Sequence, residues 1–342
     1  MRTNPMGLLS GNWIFAAKQA FDQPQPEAQI WAVPIAGGTP KLAFAYVVPG
    51  GGIPEAPIDN APYLRRQFSP DGRRMVIAVN GQLVVVDLES GAARALGVKG
   101  TFPSWSRDGS RLAFLLTVPN PNAIGPDVSI ATVAADGGAV HQLGLLTQAE
   151  SLEWSVDGMN LLVPQQGRVS IVDVASGAVI RTIDVQSGPA PSFAHFRRGT
   201  PAVALALFGC VASRSLISLD AISAPIRTLV TSPGTGEQCL LALDPRWNPA
   251  ADELLYVAAP MNALCCRPHV LDIASGKDAV IPVEAYQATW SADGSEIAYL
   301  TPSRAVGYGS TIRVWPRDGR NERVLLVVTG YDRLVSIASV AY

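Results

Sequence analysis

One short phrase governs this chain: an aromatic residue, Ser, any residue, Asp and Gly, followed by an apolar run. It stands at 68–72, 105–109, 154–158 and 290–294, with degenerate copies at 195–199 (HFRRG) and 246–252 (RWNPAAD). Asp hydrogen-bonds its own backbone two residues on and Gly supplies a positive φ, so each copy reads as a tight turn between two strands. A second phrase follows the next apolar run, in VVVDLESG, VSIVDVASG and HVLDIASG, ending at Gly91, Gly177 and Gly276. TVAADGG, VWPRDGR and VPIAGG are looser versions. Two hairpins recur in each unit, so each unit carries four strands, and a fixed internal period marks a repeat architecture.

The runs between the turns (MVIAV, LVVVDL, RLAFLL, AVALALF, ELLYVA, EIAYL) are nearly continuous in apolar residues. A sheet with one wet face alternates, whereas a sheet covered on both faces need not. No amphipathic segment of helix length lies between them to do the covering. Blades packed radially, each face against a neighbour, meet the requirement. The fourth strands (ARAL, VHQL, IRTI, IRTL, ERVL) place Arg94, His141, Arg181, Arg227 and Arg323 at equivalent points, where charge on an outer edge discourages pairing with another chain. His141 is read as one more polar edge residue.

These residues resemble the TolB-type, WD40-like β-propeller repeat, and the resemblance covers nearly the whole chain. It implies an all-β fold and scaffolding or binding roles more often than catalysis, although some relatives are lyases or carry a peptidase domain. Lyase-type propellers use a multi-histidine metal centre, which the three scattered histidines here cannot build. The resemblance also implies an extracytoplasmic or envelope setting, against a cytoplasmic one if Met1 is the true start with no leader.

Turns near Gly11, Gly72, Gly109, Gly158, Gly199, Ala251 and Gly294 give seven units in one domain over 1–342. The expected blades are 6–46 with 333–342, then 62–98, 100–146, 149–185, 190–231, 239–283 and 285–329. The first unit begins almost at a second strand, while RLVSIASVAY is a lone strand whose Tyr342 aligns with Trp105, Trp154 and Trp290. The C-terminal strand is therefore expected to join the N-terminal blade and close the ring.

Composition limits the function. The apolar fraction of 48% supports a large core. The 26 basic residues (22 Arg, 4 Lys) are dispersed, and the formal charge is −2, so no basic stripe suggests a nucleic-acid partner. The longest apolar stretch, PAVALALFGCVAS, is too short for a transmembrane segment. There is no G-x-S-x-G elbow and no phosphate-cradling G-K-[ST] loop, and no cofactor or metal is expected.

Two places remain for function. Four connections are long and unlike one another (YVVPGGGIPEAPIDNAPY, LTVPNPNAIGPDV, AAPMNALCCRPH, TPSRAVGYGS), and variable loops on a rigid scaffold commonly bind partners. The inner strands carry polar residues one and three positions before the aromatic, so Arg65, Glu153, His195, Asp244 and Arg246 border the central channel as candidate ligand-binding residues. The plainer reading is a hydrated pore whose charges pair with one another. Cys210, Cys239, Cys265 and Cys266 fall in one sector, as a disulfide cluster, a thiolate metal site with His269, or buried apolar thiols. The leading expectation is a non-catalytic binding or scaffold protein that recognises a protein, peptide or glycan through its variable face. The alternative is a lyase or hydrolase acting on a carbohydrate or lactone in the channel.

Overall fold

The computed structural model describes residues 1–7, 9–20, 25–47, 61–118, 127–146, 149, 151–165, 167–184, 194–197, 199–211, 214–231, 240–260, 266–302, 310–318, 320–329 and 332–341. Its strands form seven antiparallel sheets arranged as a seven-bladed β-propeller, with no α-helix among the described residues. Blade 3 shows the plain pattern. Its strands Thr101–Trp105, Arg111–Val118, Asp127–Ala134 and His141–Leu146 run in order from the axis to the rim. Blade 4 (from Glu153–Trp154), blade 5 (from Ala194–Phe196), blade 6 (from Leu240–Trp247) and blade 7 (from Gln287–Trp290) repeat it.

Blade 1 closes the ring. Its innermost strand is Arg333–Ala341, paired antiparallel with Asn12–Ala20 from Asn12 opposite Ala341 to Gln19 opposite Arg333. Lys18 Nζ lies 2.6 Å from a carboxylate oxygen of Asp332 at the edge of this seam. The blade also holds a fifth strand that the repeat did not foretell: Arg2–Thr3 pairs with Lys41–Val47 and covers the outer edge. Tyr342 itself lies outside the described residues.

Blade 2 departs in the other direction. It has three strands, and a 3-10 helix, Ala61–Gln67, takes the place of the innermost one, leaving a single bridge from Phe68 to Met75. Successive residues of such a helix point about 120° apart rather than to opposite faces. Leu64 accordingly enters the core between blades 1 and 2, while Arg66 is buried towards the axis.

The apolar strands are explained by where the core lies. Seven clusters of buried residues fill the seven gaps between neighbouring blades. Val76, Leu83 and Val85 of blade 2 meet Leu112 and Phe114 of blade 3. Ile14 and Val33 of blade 1 meet Ala298 and Ile312 of blade 7. Both faces of the middle strands are thus removed from water, while outer strands such as Ala93–Lys99 and Val179–Asp184 stay largely exposed, and the core lies between blades.

The repeated phrase builds both turn and staple. In blade 3 the Ser106 hydroxyl donates to Asp108 at 2.6 Å and accepts the Arg111 amide at 2.9 Å. Ser69, Ser155 and Ser291 make the same pair of bonds. Each Trp then ties its blade to the one before. Trp105, Trp154 and Trp290 donate their indole N–H to the carbonyls of Gln67, Ser104 and Arg246 at 2.8–3.1 Å. Arg74 and Arg111 lie over Trp105 and Trp154 of the following blade, with centroid distances of 4.7 and 4.8 Å. The rim arginines also do more than guard an edge. Arg94, Arg227 and Arg323 each donate to a backbone carbonyl of the next blade, at Ala135, Ile273 and Ile35, and Arg181 reaches over to Ile222 and Ala224. His141 stands exposed on the outer strand of blade 3.

Candidate functional site

The inner strands converge on a funnel of about 300 Å³ at one mouth of the channel. Its wall includes Pro70, Arg107, Pro249 and Ala292, all in the regular turns after the inner strands. It therefore opens on the face of the monotonous turns. The loops expected to carry function lie largely outside the described residues (48–60, 119–126, 261–265 and 303–309).

At the base of the funnel five side chains from four blades form a line in which basic and acidic groups alternate. Arg66 Nη2 lies 2.7 Å from Glu153 Oε2, and His195 Nδ1 stands 3.0 Å from the same oxygen. On the other side of the ring, His195 Nε2 is 3.3 Å from Asp244 Oδ1, and Arg246 Nε is 2.8 Å from that oxygen. Arg246 also donates from Nη2 to Asp244 Oδ2 at 3.1 Å. The line is nearly sealed: exposure of these side chains runs from 6% for Arg66 to 18% for Glu153, the most accessible acid.

Local structure sets each member. Arg66 is anchored to the carbonyls of Ala194 and Leu152 at 2.6 and 3.3 Å. Glu153 Oε1 accepts the Phe196 amide at 3.1 Å. Asp244 sits at a register shift between Leu243 and Arg246 with φ +47°, a conformation few non-glycine residues adopt. That kink aims its carboxylate at His195, although the Nε2–Oδ1 contact is off the hydrogen-bond axis and both atoms are buried. Burial alone would push the Glu153 carboxyl up, but Arg66, His195 and the Phe196 amide outweigh it and hold it at about 2. Asp244 is likewise lowered: burial opposes, and Arg246 and His195 prevail.

Glu153, His195, Asp244 and Arg246 are thus in mutual contact. Arg65 lines the funnel, but its neighbour Arg66 joins the charge line. Period-two reasoning missed Arg66 because the segment is helical. The Gly- and Pro-dense stretch before it, poor material for a strand, was the available signal.

The cysteine cluster falls mostly outside the described residues, which exclude Cys239, Cys265 and the side chain of Cys210. Cys266 is half-buried against the core between blades 6 and 7. His269 contacts Asp278 Oδ2 at 3.0 Å, and Tyr256 donates to the same oxygen at 2.6 Å.

No protein-family model matches the sequence, and no curated protein is similar to it in sequence. Solved structures do match in shape. The periplasmic gluconolactonase PpgL of Pseudomonas aeruginosa superposes with a TM-score of 0.62 at 15% identity, over 96% of this chain and 99% of that one. An oligogalacturonate lyase in complex with manganese gives 0.57 at 12% identity, over 92% and 85%. The dihydro-heme d1 dehydrogenase NirN gives 0.61 at 13% identity, over 99% and 79%. All three are enzymes. This stands against the expectation of a non-catalytic scaffold that binds a partner through its variable face. The manganese of the lyase finds no matching donor set here. Among the described residues no three His, Cys, Asp or Glu are placed to hold an ion, and both channel carboxylates are engaged by guanidinium groups. At these identities the likeness is one of fold, and the chain is a seven-bladed β-propeller.

Proposed function

We propose that this propeller is a hydrolase that opens a carbohydrate lactone at the base of the funnel. The observation that carries the reading is the Glu153–His195–Asp244 line, flanked by Arg66 and Arg246 and open to a pocket of sugar size. Lactone opening needs a proton acceptor for the attacking water and donors for the oxygen that gains charge. Glu153, the most accessible acid, takes the water proton while the hydroxide oxygen bonds to the carbonyl carbon. Arg246 and Arg66 steady the negative carbonyl oxygen. The ring C–O bond then breaks, and the departing alkoxide recovers the proton from Glu153. His195 and Asp244 position the acid from behind. Thr289 and Ser104, also in the wall, offer hydroxyls to the polyol. The full-length superposition on a gluconolactonase supports hydrolysis over elimination.

Acid release from glucono-δ-lactone, followed at constant pH, tests the reading. The purified chain should exceed spontaneous hydrolysis, and Glu153→Gln should lower kcat/KM by about a hundredfold or more. A rate equal to background would remove the lactonase reading.

A further inference from the structure

In its present state the charge line is closed. Both oxygens of Glu153 are engaged, one by Arg66 and His195 and the other by the Phe196 amide. A carboxylate so held is a poor proton acceptor, and a fixed structural role would explain it fully. The funnel above it has a different character. Arg65, Arg66, Arg107 and Arg246 line it against the single carboxylate of Glu153, in a chain whose formal charge is −2. With Asp244, which lies just behind, arginines still outnumber carboxylates four to two among the described residues at the funnel. A cleft of one sign concentrates ligands of the other.

An anion seated on these arginines acts on Glu153 in two ways. It shares the guanidinium of Arg66, and it brings like charge to within a few ångströms of the carboxylate; both favour the protonated form. The groups that face Glu153 are Arg66 from the 3-10 helix and His195 from the inner strand of blade 5, with Asp244 and Arg246 of blade 6 behind them. Of these, Arg66 is the cation in direct contact with both the acid and the funnel. Burial, which already disfavours the ionised carboxyl, is then opposed mainly by His195 and the Phe196 amide.

We infer that the substrate is a sugar lactone bearing its own carboxylate, and that this carboxylate, docked on Arg65, Arg66 and Arg246, converts Glu153 from an ion-pair partner into the proton acceptor. The inference rests on the lactonase reading and adds to it a substrate class and a gate. A neutral lactone finds the acid free only part of the time and is turned over slowly, though above the spontaneous rate, whereas an acidic one opens it in full.

Calorimetric titration with D-glucarate, the ring-opened dianion of such a lactone, in two buffers of different ionisation enthalpy tests the gate. Binding at about pH 4 should be accompanied by uptake of a sizeable fraction of one proton per site. Glu153→Gln should still bind but take up none, while His195→Gln should retain the uptake. Binding without uptake, or uptake lost in His195→Gln and kept in Glu153→Gln, overturns the gate and leaves the glucono-δ-lactone assay to judge the hydrolase. Absence of glucarate binding overturns the acidic substrate class. Should either variant fail to fold, the infrared band of a protonated carboxyl on glucarate binding to the native protein makes the same distinction; its absence counts against the gate.

Discussion

Blades 3 and 6, three steps apart around the ring, use one backbone device for two ends. In TFPSW and LDPRW a residue before proline takes a positive φ, +51° at Phe102 and +47° at Asp244, and in each case the strand slips register beside it. The following Trp, two residues after the proline, packs into an inter-blade gap both times. At blade 3 the kinked residue is aromatic, and it lies half-buried against the core between blades 3 and 4. At blade 6 it is an acid, and the same kink delivers its carboxylate to His195 and Arg246. The backbone of a propeller repeat thus tolerates a strained corner at the axis for packing alone. A polar side chain at such a corner turns it into part of a site.

The comparison is broken most severely at Asp244. Asp244→Ala takes from the half-buried Arg246 the carboxylate it contacts and should cost about 2–3 kcal/mol of stability. Denaturant unfolding read against wild type checks this, and a loss below about 1 kcal/mol would mean the blade 6 corner is as passive as that of blade 3. Acid comes next. The folded carboxyls of Glu153 and Asp244 lie below their unfolded values, so their contribution is complete above the ordinary carboxylate range and is lost on acidification, for Glu153 as pH falls towards about 2. For Glu153 the loss is on the order of 3 kcal/mol, and Glu153→Gln should flatten the acid limb of the melting curve. Phe102→Ala should cost about 1–3 kcal/mol through lost packing, with lactone hydrolysis kept close to wild type. The smallest effect sharpens the comparison: combining Phe102→Ala with Asp244→Ala should give additive losses to within about 0.5 kcal/mol, because the corners stand three blades apart. A larger coupling energy would show that the channel transmits strain between them.

The fold could be read from residues 68–72, 105–109, 154–158 and 290–294 because their chemistry is local. Ser, Asp and Gly close the turn within five residues, and the neighbouring apolar runs leave only a doubly covered sheet. Ring closure was also legible, from an orphan strand at one end and a missing one at the other. The site was legible by halves. Glu153, His195, Asp244 and Arg246 stood out as polar positions on inner strands, but their pairing depends on bringing together residues from blades 4, 5 and 6. Arg66 was hidden by a helix where a strand was expected, and Asp244 gained its aim from a kink that alternation does not encode. The chemistry proposed for the channel was the least legible feature. No single segment carries a nucleophile with its base, and the charge line exists only after distant blades meet at the axis.

The seam in blade 1 has a bearing on how the molecule comes into being. Ile14, Phe15 and Ala16 are made some three hundred residues before the strand that shelters them, which ends at Ala341. Until that strand is free of the ribosome, an apolar edge stands open at each end of a growing arc. The arc has every incentive to stick to its neighbours in that interval, and a partner that occupies the gap for those seconds would govern the yield of finished rings.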